Sequence, residues 1–182
     1  GARKVMTNAY FMLLATGIVL TVLGIGLHKP ILYLFGASDA TYPYAASYMI
    51  IYLLGTVFVM TSLGLNPYIN SQGFARIGML TVLLGAVANI VLDPIFIFAL
   101  DMGVRGAAIA TIISQFLSAI WVLRFLTGRK AELTMHFRGF RPDFVCIRKI
   151  ALLGTASFVM SFTDCLVQVA CNATLRQFGG DI

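Results

Sequence analysis

Charge is what this sequence has least of. Its 182 residues include only seven Asp and Glu and thirteen Lys and Arg, 11% in all, against roughly 25% in an ordinary soluble domain. That deficit, beside 59% hydrophobic residues, excludes a soluble domain and reads as an integral membrane protein. Cysteine is scarce too. Cys146, Cys165 and Cys171 have no metal-ligand spacing and make no even-numbered disulfide framework. Cys165 and Cys171 lie in an apolar run, where free cysteine behaves as a small hydrophobe. The two histidines, His28 and His136, have no second His or carboxylate at ligand spacing, so neither is assigned a site. There is no His-Glu-x-x-His motif and no pair of aspartates on adjacent runs, which removes the usual membrane proteases, and no enzyme is expected. An initiator Met and a signal peptide are also missing, and the chain stops at Ile182 just beyond an apolar run. These features read as the interior of a longer chain.

What is present is a series of apolar runs of membrane length. They predict an all-α, polytopic helix bundle with spans at about 5–27, 44–65, 77–100 and 106–126, and a further helix from Ile150 to about Leu175. Between the first two spans, Ile31 to Gly36 is too short to cross and reads as an interfacial segment, with Tyr33 near headgroup level. Asn66-Pro67 is expected to disrupt the second span near its end, before a polar turn at Ser71–Gly73. The one long hydrophilic stretch is 127–149. Its arginines, with Phe137 and Phe140, admit a nucleic-acid reading, but topology explains them without a ligand and no nucleic acid is expected. Arg3, Lys4, Arg76, Arg124, Arg129, Lys130, Arg138, Arg141, Arg148 and Lys149 fall on one side, and only Lys29, Arg105 and Arg176 on the other. That bias puts the N-terminus and the 127–149 loop in the cytoplasm.

The informative stretch is Gly85 to Phe98. Asn89 and Asp93 lie four apart inside the third span, so a helix stacks them on one face. A carboxylate in hydrocarbon is costly and usually faces a polar cavity or a partner. Pro94 follows at once; it has no N–H for the Ile90 carbonyl, so a bend is expected there and Pro94 is a candidate hinge. A carboxylate, an amide and a freed carbonyl near one level suit a cation. The competing reading is an Asp93 that only fixes helix packing.

Three further patterns bear on function. The fourth span opens Gly106-Ala-Ala-Ile-Ala-Thr111, small residues that permit close approach to the third and bring Thr111 near its upper part. Ser114, Gln115 and Ser118 continue that face and read best as a hydrogen-bonded packing seam. Tyr44, Tyr48 and Tyr52 share a face that either lines a cavity or anchors the helix at the interface. In the last helix Asp164, Gln168 and Asn172 recur every four residues, as a water-facing stripe would.

Three motifs, in order, carry a family resemblance: Asn66-Pro-Tyr-Ile-Asn-Ser-Gln-Gly-Phe-Ala-Arg76; Ala88-Asn-Ile-Val-Leu-Asp-Pro-Ile-Phe-Ile-Phe98; and Met102-Gly-Val-Arg-Gly-Ala-Ala-Ile-Ala-Thr-Ile-Ile-Ser-Gln115. Together they resemble the multidrug and toxic compound extrusion (MATE) family, nearest its bacterial multidrug-efflux and DNA-damage-inducible branches. The resemblance implies a twelve-helix, two-lobed transporter of which this sequence covers roughly helices three to seven. Residues 1–126 would belong to the N-terminal lobe, 127–149 to the inter-lobe loop and 150–182 to the start of the C-terminal lobe. It implies an antiporter in the bacterial inner membrane that exchanges Na⁺ or H⁺ for amphipathic, often cationic compounds, with no other cofactor. By the same resemblance Asn89, Asp93 and Thr111 match the family's cation site. That site is completed by an Asp on a first helix outside this sequence, so the missing helices of the full-length chain are its partners. Some members use an acidic residue near the position of Asp164 instead. A lipid-linked saccharide exporter of the same superfamily is the alternative, although no basic residue lies deep in a span here. A passive channel is the remaining rival.

Overall fold

The computed structural model describes residues 2–128, 131 and 143–179. It is built of helices: α1 Ala2–Gly26, α2 His28–Leu34, α3 Tyr42–Leu54, α4 Thr56–Ser71, α5 Ala75–Pro94, α6 Gly103–Thr127 and α7 Phe144–Gly179. A π-helical turn, Ile95–Ala99, extends α5. Stretches of α1, α5, α6 and α7 are long and apolar enough to cross a membrane, and α3 with α4 makes a broken fifth. Most of the expected loop, 127–149, lies outside the described residues, including His136 and the Phe137–Phe140 run.

Two expectations about breaks need correcting. The sharp bend in the second span is at Gly55, where α3 and α4 meet at 58°. A Cβ there would come 2.5 Å from Ile112 Cγ1 of α6, so the close crossing of α6 requires glycine at the elbow. Pro67 does not end the helix. It lies inside α4, which continues to Ser71, because neighbouring helices in a bundle tolerate the one lost backbone bond. The chain reverses at Gly73, whose φ of +85° suits glycine.

Pro94 likewise leaves its span continuous from Ala75 to Ala99. The ladder changes register there. Ile95 N–H bonds Leu92 O, Leu100 N–H bonds Ile95 O at 2.9 Å, and Met102 N–H bonds Phe96 O at 3.2 Å. A widened turn absorbs the missing donor.

α6 is the central element. It packs on α3, α4 and α5, and carries more buried positions than any other described helix. Gly106 is buried against the π-turn: a Cβ would lie 2.5 Å from the Phe96 carbonyl oxygen. At the end of the bundle near the α1 N-terminus, Met6, Leu65, Ile69, Val122 and Leu126 form a fully buried apolar cluster. Further along, the interior turns polar.

Candidate functional site

The polar interior starts one turn beyond that cluster. Ser118 Oγ of α6 donates to the Thr81 carbonyl of α5 at 3.2 Å, and Ser62 Oγ of α4 donates to Gln115 Oε1 at 2.8 Å. Ser114 is 1% exposed and bonds back to the Ala110 carbonyl. These are the bonds of a packing seam. The same side chains, with Thr81, Gly85, Asn89 and Thr111, also line a cavity of about 230 Å³. That volume exceeds what one water requires, and the lining hydroxyls and amides supply the polar partners a water needs.

Asn89 and Thr111 stand at the far end of this cavity from Thr81 and Ser118. The Asn89 amide Nδ2 donates to Asp93 Oδ1 at 3.2 Å, along its own helix, and contacts Thr111 Oγ1 across to α6 at 3.4 Å. Thr111 donates its hydroxyl proton to Ala107 O at 2.9 Å, so its oxygen lone pairs face Asn89. Asp93 is half-buried. Asp93 and Thr111 contribute oxygen atoms and a single negative charge, and the Asn89 amide turns its N–H groups to both.

Sequence reading named Asn89, Asp93 and Thr111, and the structure brings those three together. It missed Ser62 and Thr81. Thr81 had a signal: Thr81, Gly85, Asn89 and Asp93 recur every four residues on one face. Ser62 had none, since only the crossing of α4 on α6 brings it to Gln115.

The other candidates lie apart. Tyr48 and Tyr52 stack with ring centroids 5.9 Å apart, and with Tyr44 they line a separate groove of about 560 Å³ that reaches Val104. Among the described residues none lines both that groove and the Asn89 cavity. Asp164 and Gln168 are exposed on α7 and do not join the Asn89 cluster. Only Asn172 of that stripe reaches the other helices, donating to the Phe35 carbonyl at 3.1 Å.

Pro94 follows Asp93 directly, so it governs how the carboxylate end of α5 is carried. Pro94→Ala in the full-length protein is expected to restore an α-helical register there. Amide hydrogen exchange across Ile95–Ala99 should slow with expression nearly unchanged, and an unchanged exchange pattern would mean that Pro94 does not cause the wide turn.

Among the described residues, helices of membrane length around a half-buried carboxylate and a polar chamber define a polytopic membrane protein. The MatE family model matches residues 1–95, and the chain belongs to that family. It is 28% identical to the multidrug export protein MepA of Staphylococcus saprophyticus over 91% of its own length and 37% of that protein's. Among solved structures it resembles an inward-facing multidrug resistance MATE transporter (TM-score 0.91, 26% identity), covering 99% of this chain and 41% of that one. An outward-facing MATE transporter matches at TM-score 0.86 and 26% identity, over 100% of this chain and 40% of the other. The chain thus spans about two fifths of the length of such relatives.

Proposed function

We propose that the full-length protein is a secondary antiporter of the bacterial plasma membrane. It exports amphipathic, often cationic compounds in exchange for Na⁺ or H⁺. The observation that carries this reading is the Asn89 amide bridging Asp93 on α5 and Thr111 on α6. A cation or proton on Asp93 changes what Asn89 must bond, and so alters the join between two helices. Binding shifts a conformational equilibrium only by its difference in affinity between states, and a carboxylate shared across a helix contact supplies such a difference. Similarity to a multidrug export protein supports the substrate class. The groove along Tyr44, Tyr48 and Tyr52 suits the flat apolar part of such a compound, and its rings suit a cationic group. The distribution of Lys and Arg supports a cytoplasmic N-terminus and a cytoplasmic 127–149 loop. No observation favours the saccharide-exporter alternative.

The test is transport by the full-length protein in proteoliposomes. Ethidium should move against an imposed Na⁺ gradient or an imposed proton gradient, with a rate severalfold above protein-free vesicles. Movement under one gradient and not the other names the ion. Ethidium transport that ignores both gradients would overturn the antiport reading.

A further inference from the structure

The elbow between α3 and α4 is gripped from two sides. On one side lies α1. Thr21 Oγ1 has a single proton, shared between the Gly17 carbonyl of its own helix and the Leu53 carbonyl in the last turn of α3, both at 2.8 Å. The last carbonyls of a helix have no partner within it, and hydrocarbon supplies no water in its place. Buried Gly24, three residues on from Thr21, permits the approach: a Cβ there would lie 2.8 Å from both Leu53 Cδ atoms.

On the other side lies α6. The place of a Gly55 Cβ is taken by Ile112, with its Cγ1 at 2.5 Å and its Cβ at 3.3 Å. One turn further along α4, Phe58 meets Phe116 edge to face with ring centroids 5.0 Å apart, and Ser62 bonds Gln115. Ile112 is β-branched, so its χ1 is nearly fixed in a helix and it cannot swing away from the elbow. Displacement of the elbow therefore passes to the α6 backbone. Thr111 is the residue before Ile112. Its hydroxyl is tied to the Ala107 carbonyl at 2.9 Å, so it moves with that backbone. Its contact with Asn89 Nδ2 is 3.4 Å, at the long end of hydrogen bonding, and a small displacement opens it. Each link joins described helices directly, so helices elsewhere in the full-length protein add to these contacts and do not replace them.

We propose that Thr21 is a positioning residue for the Asn89–Asp93–Thr111 site. Its hydroxyl fixes the elbow, and the elbow, through Gly55 and Ile112, sets where Thr111 stands against Asn89. Thr21 itself does not line the Asn89 cavity. The proposal rests on the exchange reading above for what the site binds, while the lever from Thr21 to Thr111 is independent of it.

The experiment uses the full-length protein. Thr21→Val keeps the side-chain shape and removes the donor; Thr21→Ser keeps the donor. In proteoliposomes, the Na⁺ or H⁺ concentration giving half-maximal ethidium transport should rise about threefold in Thr21→Val, within the range for substitutions along a coupled network, with the ethidium KM unchanged. Thr21→Ser should restore the wild-type value. Amide hydrogen exchange across residues 107–116 of α6 gives a reading that needs no ion: it should be faster in Thr21→Val and normal in Thr21→Ser. Unchanged exchange or an unchanged ion constant in Thr21→Val would overturn the proposal. So would a Thr21→Ser that behaves as Thr21→Val, or equal shifts of the ion and ethidium constants, which a general loosening produces. Wild-type transport that ignores both ions, beside faster exchange in Thr21→Val alone, would strike the exchange reading and leave the lever standing.

Discussion

Asp93→Asn in the full-length protein is expected to lower ethidium efflux from cells at least tenfold while membrane expression stays near wild type. The reasoning is one of charge at constant shape. An Asn at this position keeps the planar side chain, and its carbonyl oxygen still accepts the Asn89 Nδ2 donor now bonded to Asp93 Oδ1 at 3.2 Å. The α5–α6 join through Thr111 is then preserved. What disappears is the single negative charge of the donor set. A unit charge pair at 4 Å contributes about 4 kcal/mol at an effective dielectric near 20, or roughly a thousandfold in affinity. Asp93 is half-buried, and solvent screening discounts that figure, so tenfold is the conservative floor. Efflux equal to wild type in an expressed Asp93→Asn protein would place the coupling charge elsewhere, with Asp164 the next carboxylate to replace, and would return Asp93 to a packing role.

The site was legible in the sequence to the extent that it is local. Asn89 and Asp93 share a helix face by spacing alone, and a carboxylate in an apolar run announces itself by its solvation cost. The small-residue opening of α6 announced a close crossing, and Gly106 against the Phe96 carbonyl is that crossing. What escaped was set by contacts between distant parts of the chain. The elbow at Gly55 carries no proline and no polar cluster; what marks it is Ile112 of α6, which occupies the space a side chain would need. Pro67 drew attention as a break, yet it is absorbed within α4, and Pro94 opens a π-turn that the sequence did not announce. Local propensity states what a backbone loses at proline, and only the neighbouring helices decide whether the loss bends it. The Asn8–Asp143 and Asn172–Phe35 bonds join residues more than a hundred apart, and no periodicity points to either.

Gly106→Ala, the addition of one methyl group, is expected to be among the most destabilising glycine replacements in this chain. The new Cβ would lie 2.5 Å from the Phe96 carbonyl oxygen, 2.7 Å from its carbon and 3.1 Å from the Ile97 nitrogen. All three are backbone atoms of the π-turn, which cannot rotate aside as a side chain does. At Gly24 and Gly64 the nearest atoms belong to Leu53 and Leu13 side chains, which can change rotamer. Overpacking of this kind costs about 1–3 kcal/mol and sometimes more, a large share of the stability of a typical fold. Gly64 on α4 is the comparison, because the atoms nearest its added Cβ, at 2.6 and 2.9 Å, belong to the Leu13 side chain, which can turn aside at smaller cost. The comparison is read as melting temperature of the purified full-length protein, Gly106→Ala against Gly64→Ala, with Gly106→Ala expected to be the lower. The damage should extend to function in whatever fraction folds. Gly106 lies five residues before Thr111 on the same helix, so pushing the start of α6 off the π-turn draws the Thr111 hydroxyl away from Asn89. Gly106→Ala should therefore weaken ion dependence as well as stability. Equal melting temperatures for the two variants would mean that α6 and the Pro94 turn do not meet as closely as this crossing requires.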